Sequence, residues 1–143
     1  MAEVIEEGKI LTFDELRILL FACGIKEING VFMPEKVFTE EEVLSALHHM
    51  AEREIIRAEE TDFTIREDIR EILHIMGHPE NAFVWSPKEG SILEDEYYCY
   101  IVSGKVVVSE QYWKKKETVK LRMFSLEDFD KWREEMRNTY DYY

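Results

Sequence analysis

The chain has few residues of the kinds that carry covalent, metal or phosphate chemistry. Only two of its 143 residues are cysteine, and the spacing of Cys23 and Cys99 fits no zinc motif. Both are therefore expected to be free thiols in a reducing cytoplasm. The six glycines are dispersed and form no phosphate-binding loop. The sequence thus gives no sign of a bound cofactor.

Long apolar runs and positive charge are also scarce. No run approaches the roughly 20 apolar residues of a membrane span, and the start MAEVIEEGK lacks the features of a signal peptide. The chain contains 31 acidic residues but only 18 Lys and Arg, which gives a net charge of -13. This charge repels nucleic acid and anionic membrane surfaces. The only basic run, 114–116, ends at Glu117. We expect a cytoplasmic protein with neither nucleic acid nor a membrane as partner.

Histidine and serine show no catalytic or metal-binding arrangement. His48 and His49 are neighbours on a predicted helix and point about 100° apart, so they cannot share one ion. His74 and His78 have the spacing of a common helical face, but Gly77 is predicted to end that helix between them. No third ligand and no nucleophile-elbow pattern is evident. We predict no metal site and no enzymatic activity.

The first half of the chain predicts three helices, at about 13–22, 40–54 and 66–76. Two of them begin at capping boxes, Thr12 with Glu15 and Thr39 with Glu42. In the first helix Phe21 widens an apolar stripe, which predicts burial on more than one side. An apolar step, the acidic turn AEETD and the strand-like FTI lie between the second and third helices. This order predicts a winged-helix-like part.

After Pro79 the apolar period changes from 3.6 to 2. Segments 82–86, 97–103, 105–113 and 119–124 are rich in β-branched and aromatic residues, with a tight turn at Ser103-Gly104. A helix capped by Ser125 is predicted at about 126–137. The prediction is one α+β domain with a three-helix part, a four-stranded antiparallel meander and a C-terminal helix. Its predicted divisions are an N-terminal extension (1–11), the helical part (12–79), the sheet with its helix (80–137) and a tail (138–143).

The second and third predicted strands carry apolar side chains on both faces. Tyr98, Tyr100 and Val102 point to one face and alternate with Cys99 and Ile101 on the other. In an antiparallel strand with one solvent-exposed face, apolar residues would alternate with polar ones instead. Either the chain's own terminal helices cover both faces, or one face is covered by a loop, a second copy or another protein. The second alternative predicts an interface of these strands formed by Tyr98, Tyr100, Val102, Val106, Val108, Tyr112 and Trp113.

The order of these segments resembles a known family. ILTFDELRILLFACGI, the connector FMPEKVF, FTEEEVLSALHHMAEREII and FTIREDIREILHIMGHPENAFVW precede the strands. This pattern, over about 10–137, is similar to the N-terminal half of the EspG-type chaperones of type VII (ESX) secretion systems. The resemblance implies a cytosolic handler of helical secretion substrates of the PE/PPE kind. Because those chaperones have two such halves about a pseudo-twofold axis, it also implies a homodimer.

Two functions follow as expectations. The first is a dimeric, non-enzymatic protein-binding module, chaperone-like or accessory to a type VII secretion system. The second is an acidic winged-helix-type transcriptional regulator whose DNA contacts come from YWKKKETVKLR or from a partner. The acidic surface of the second predicted helix favours the first function, because a recognition helix needs exposed basic or amide side chains.

Overall fold

The structure is a computed structural model that describes residues 9–26, 28, 37–86, 97–112 and 117–141. It confirms the α+β class. The described elements, in chain order, are β1 (Lys9–Thr12), α1 (Phe13–Ala22), α2 (Glu40–Glu52), β2 (Ile56–Ala58), β3 (Phe63–Ile65), α3 (Glu67–Gly77), β4 (Asn81–Trp85), β5 (Tyr97–Val102), β6 (Lys105–Tyr112), β7 (Thr118–Ser125) and α4 (Leu126–Asp141).

The predicted helix starts are confirmed by their hydrogen bonds. At α1 the Thr12 hydroxyl accepts from the Glu15 amide at 3.0 Å, and the Glu15 carboxylate accepts from the Thr12 amide at 2.9 Å. Thr39 and Glu42 form the same reciprocal pair at α2. Each pair satisfies backbone amides that have no partner within the helix. At α4 the Ser125 hydroxyl accepts from the Asp128 amide at 3.1 Å.

The main sheet contains five antiparallel strands in the order β1-β7-β6-β5-β4, rather than the four predicted. The additional strand is β1, most of which was predicted to belong to an N-terminal extension. It pairs with β7 through Leu11 and Val119, and both side chains are fully buried. The sequence did not predict β1 as a strand, because four residues are too few to show a clear alternation and because its pairing partner lies far along the chain. Strands β2 and β3 form a separate hairpin.

Two of the helices, α4 and α3, end later than predicted. Helix α4 continues to Asp141, because no glycine or proline after Arg137 ends it, so the predicted tail begins inside the helix. Gly77 is the last residue of α3 and not a cap beyond it. A Cβ at Gly77 would lie 2.8 Å from Cδ1 of Ile25. The missing side chain at Gly77 therefore allows the close approach of α3 to the turn after α1.

The two faces of the sheet carry separate apolar cores. The three-helix cluster packs side chains of α1, α2 and α3 on Tyr100, Val107, Val119 and Leu121, and its fully buried helical members include Leu16, Leu19, Met50, Ile69 and Leu73. The α4 cluster lies on the opposite face and consists of Trp85, Tyr97, Cys99, Val106, Val108, Phe124, Phe129 and Trp132. The chain's own helices therefore cover both faces of the central strands.

Candidate functional site

The residues of the predicted sheet interface do not form one surface. The predicted alternation is confirmed, since Tyr98, Tyr100 and Val102 pack with the three-helix cluster. Strand pairing places Val106 beside Ile101 and Val108 beside Cys99, so both valines belong to the opposite, α4 face. Tyr98 and Tyr100 therefore cannot share a patch with Val106 and Val108, which corrects the single interface drawn from the sequence.

Other residues of the same chain bury the predicted interface residues. Tyr100 is 1% exposed and both Val106 and Val108 are fully buried. Tyr98 and Val102 are half-buried and pack on the three-helix cluster. The side chain of Tyr112 and all of Trp113 lie outside the described residues. The described residues of β5 and β6 thus give no exposed apolar face for a second copy to cover.

The histidines lie in two exposed pairs, 48/49 and 74/78, and the two cysteines are free thiols. His48 pairs with Glu52 at 2.7 Å on the exposed side of α2, and the rings of His74 and His78 stack at 6.3 Å between centroids. Within the described ranges, no three His, Cys, Asp or Glu side chains are placed to hold a metal ion. Burial raises the pKa of the Cys99 thiol to about 12, with the Arg133 charge acting in the opposite direction. This thiol therefore stays protonated at neutral pH, and a protonated thiol is a poor nucleophile.

An exposed apolar groove lies at the C-terminal end of α1. The helix ends in a Schellman motif, in which the amides of Gly24 and Ile25 donate to the carbonyls of Phe21 and Leu20 at 3.0 and 2.9 Å. Gly24 supplies the required left-handed backbone, with φ of 72°. The motif buries Leu20 and Ile25 and leaves Phe21 87% exposed. The α1 groove, about 380 Å³ in volume, is lined by Arg17, Leu20, Phe21, Gly24, Ile25 and Lys26.

The described charged residues of the α1 groove have the opposite sign to the net charge of the chain. Its described lining residues include Arg17 and Lys26 and no carboxylate, although acidic residues outnumber basic ones by 31 to 18 in the chain. The exposed ring of Phe21 next to two cations can bind a segment that carries both apolar and acidic side chains. None of the described lining residues is a Ser, Cys, His, Asp or Glu.

Sequence reasoning predicted the burial of Phe21 and so missed this site. The apolar run Ile18-Leu19-Leu20 before it indicated that α1 is buried on several sides. In the structure, however, Phe21 is 87% exposed and points away from the core. One signal was available, because Phe21 lies four residues after Arg17 and so shares its helical face with a cation. A polar residue on the same face marks the side of a helix that meets water.

A second groove, of about 610 Å³, lies between the end of α2 and the β2–β3 hairpin. Arg66 lies in it, but its guanidinium binds Asp68 at 2.6 and 3.1 Å. Burial opposes ionisation of Asp68, yet the hydrogen bonds and charge of Arg66 outweigh it and lower the pKa of this carboxyl. A cation held in this way stabilises the start of α3 and is less available to a ligand.

Comparison with known proteins gives no match to any family model, curated protein or solved structure. None of the helices in the described part of the chain combines the length and apolarity that crossing a membrane requires.

Proposed function

We propose that this chain is a non-enzymatic protein-binding module whose partner inserts an acidic, apolar segment into the α1 groove. The observation that carries the proposal is the 87% exposure of Phe21 beside Leu20, Ile25 and two cations. A single exposed apolar residue is ordinary on a protein surface, but a phenylalanine at the rim of an apolar groove offers an anchor for a partner. Covering Phe21 would contribute about 2 kcal/mol, or roughly thirtyfold in the dissociation constant.

The resemblance to EspG-type chaperones suggests a class for this partner. That family binds helical secretion substrates, and an amphipathic helix presents an apolar stripe flanked by charge. A helix with acidic residues beside its stripe would place them near Arg17 and Lys26. In the proposed role the chain keeps such a helix soluble in the cytoplasm until its export, and contributes binding without catalysis.

Site-specific photocrosslinking in cells that produce the chain tests the proposal. A photoreactive amino acid at Phe21 is expected to give one discrete adduct, which mass spectrometry then identifies. The matched control is Leu44 on α2, which is 59% exposed but does not line the α1 groove. The Lys26→Glu substitution should remove the adduct, whereas Lys131→Glu on α4 should not. Equal crosslinking from positions 21 and 44, or none from either, would contradict the proposal.

The alternative function, an acidic winged-helix-type regulator, has less support. In the segment YWKKKETVKLR, residues 113–116 lie outside the described residues. Arg122, at its end, pairs with Glu110 at 2.9 Å and lies 5.5 Å from the Trp132 ring centroid. An arginine held in this way is poorly placed to contact phosphates. We expect no sequence-dependent duplex binding in a gel shift at physiological salt.

A further inference from the structure

The turn after α1 forms one side of the α1 groove. Gly24, Ile25 and Lys26 belong to this turn, and the other described lining residues belong to α1 itself. Backbone hydrogen bonds from the Gly24 and Ile25 amides fix the turn to the last residues of the helix. The conformation of the turn therefore decides where Lys26, one of the two groove cations, lies relative to the Phe21 ring.

The opposite side of the turn packs against the end of α3. The Ile25 side chain is 7% exposed and lies beside Gly77, where α3 has no side chain. A Cβ at Gly77 would lie 2.8, 3.0 and 3.1 Å from Cδ1, Cγ1 and Cγ2 of Ile25. Carbon atoms in ordinary contact lie roughly 3.5–4.0 Å apart, so a methyl group at residue 77 would have to displace either Ile25 or α3.

The backbone of Gly77 does not itself require glycine. This residue has helical conformation as the last residue of α3, and alanine adopts that conformation more readily than glycine does. Gly24 is different, because its φ of 72° is left-handed while a Cβ there would meet no atom within 4 Å. What Gly77 contributes is therefore the space left by its missing side chain.

Helix α3 is held more firmly than the turn. Five side chains of α3 are buried in the three-helix cluster, namely Ile69, Ile72, Leu73, Ile75 and Met76. In the turn only Ile25 is buried, and this is the side chain that a group at residue 77 would meet. Because buried aliphatic side chains contribute more to stability than single hydrogen bonds do, we expect the turn to yield before the helix.

We infer that Gly77 is a positioning residue of the α1 groove and acts through Ile25. Its missing side chain lets Ile25 pack against α3, and this contact holds the turn so that Lys26 and Phe21 line the same groove. Gly77 is not among the described lining residues, so its effect on the groove passes through Ile25. The importance of this positioning for a partner rests on the proposed function, whereas the position of the turn does not.

Amide hydrogen exchange of the full chain, followed by NMR, tests the positioning without any partner. Gly77→Ala should accelerate exchange at the Gly24 and Ile25 amides at least about fivefold, because displacing Ile25 opens the hydrogen bonds of the turn. The His78 amide, which donates to the His74 carbonyl at 2.9 Å, should exchange as in the wild type. Unchanged exchange at Gly24 and Ile25 would overturn the inference, whether or not His78 exchanges faster.

Two further variants separate positioning from a general loss of stability. Ile25→Val removes Cδ1, the atom nearest to a Cβ at residue 77, so in the Gly77→Ala background it should reverse most of the acceleration at the Gly24 amide. Met136→Ala lies at the margin of the α4 cluster and should not accelerate exchange at Gly24 more than at His78. Circular dichroism establishes that each variant is folded. Acceleration that Ile25→Val leaves unchanged would show that this contact is not its cause.

Photocrosslinking from position 21 then measures what the positioning contributes to binding. With equal amounts of soluble chain, Gly77→Ala should decrease the adduct at least about threefold, and adding Ile25→Val should restore part of it. Met136→Ala should leave the adduct unchanged. An unchanged adduct from Gly77→Ala with an opened turn would refute the role of Gly77 in binding and leave the proposed function intact. No adduct from the wild-type background would refute the proposed function, and hydrogen exchange would still decide the position of the turn.

Discussion

The two faces of one sheet are covered here by different means. Three short helices cover one face with mainly aliphatic side chains, and they are fixed by two capping boxes and by the close approach of Gly77 to Ile25. A single helix, α4, covers the other face with rings, and Trp132 lies 5.1 to 5.4 Å from Tyr97, Trp85 and Phe124 between ring centroids. We therefore expect the stability of the first face to be distributed over many small contributions, and that of the second to be concentrated in a few large side chains.

The largest effect is expected from Trp132→Ala. The substitution removes the central ring of the α4 cluster and should lower the free energy of unfolding by about 3–5 kcal/mol in chemical denaturation. Hydrogen exchange should show lost protection in α4 and retained protection in α1 and α3. Met136→Ala, at the half-buried margin of the cluster, is the control and should cost about 1 kcal/mol. Equal loss of protection on both faces would mean that the two cores open together.

Gly77→Ala should have the next largest effect, on the three-helix face. The added methyl group meets Ile25 at 2.8 Å, so either side must shift, at a cost of about 1–3 kcal/mol. Ile25→Val removes the nearest contacting atom and should recover part of this loss. A double-mutant cycle measures the coupling, and strictly additive costs would show that Ile25 does not limit the space at Gly77.

The two capping boxes provide a smaller contrast within the three-helix face. Glu15 is 4% exposed and also accepts from Arg53 at 3.1 Å, whereas Glu42 in the second box is only half-buried. Thr12→Ala should therefore cost about 1–2 kcal/mol in thermal unfolding, and Thr39→Ala about 0.5 kcal/mol. Equal losses would show that the Arg53 contact adds nothing to the first box.

Alkaline pH should distinguish neighbouring residues on the two faces. Burial raises the pKa of Cys99 to about 12 and also raises that of Tyr100, above ordinary values of 9.0 and 10.0. The folded state therefore holds these protons more tightly, and the resulting stability is complete below pH 9 and declines as pH rises. Denaturation at stepwise pH should show this decline, beginning with Cys99. Cys99→Ala should remove the earlier part of it and leave the part due to Tyr100.

Local signals predicted much of the fold. The capping boxes depend on residues three apart in sequence, and the alternation of Tyr98 and Tyr100 with Cys99 depends on residues one apart. Both are confirmed. Strand β1 was missed because its pairing with β7 joins segments about a hundred residues apart, which no short pattern records. Which helices cover which face is equally non-local, and for this reason the sequence left two alternatives for the covering of the sheet.

The candidate site was less predictable than the fold. The exposure of Phe21 depends on how α1 sits over the sheet, and the helix itself contains apolar residues on most sides. The position of β4 at the edge of the sheet could not be inferred from the sequence either, because it depends on the strand order. In both cases the residue type was visible in the sequence, while its surroundings were set by tertiary contacts.

Thr12 belongs to two structures at once, as the last residue of β1 and the N-cap of α1. The Glu15 carboxylate that holds its amide also binds Arg53, just after the end of α2, and Arg53 binds the Ile10 carbonyl. Peeling β1 from the sheet would therefore uncap one helix and release the end of another in the same event. We therefore expect this corner to open in one cooperative step, which a protease or an unfoldase acting on the chain here would have to overcome as a whole.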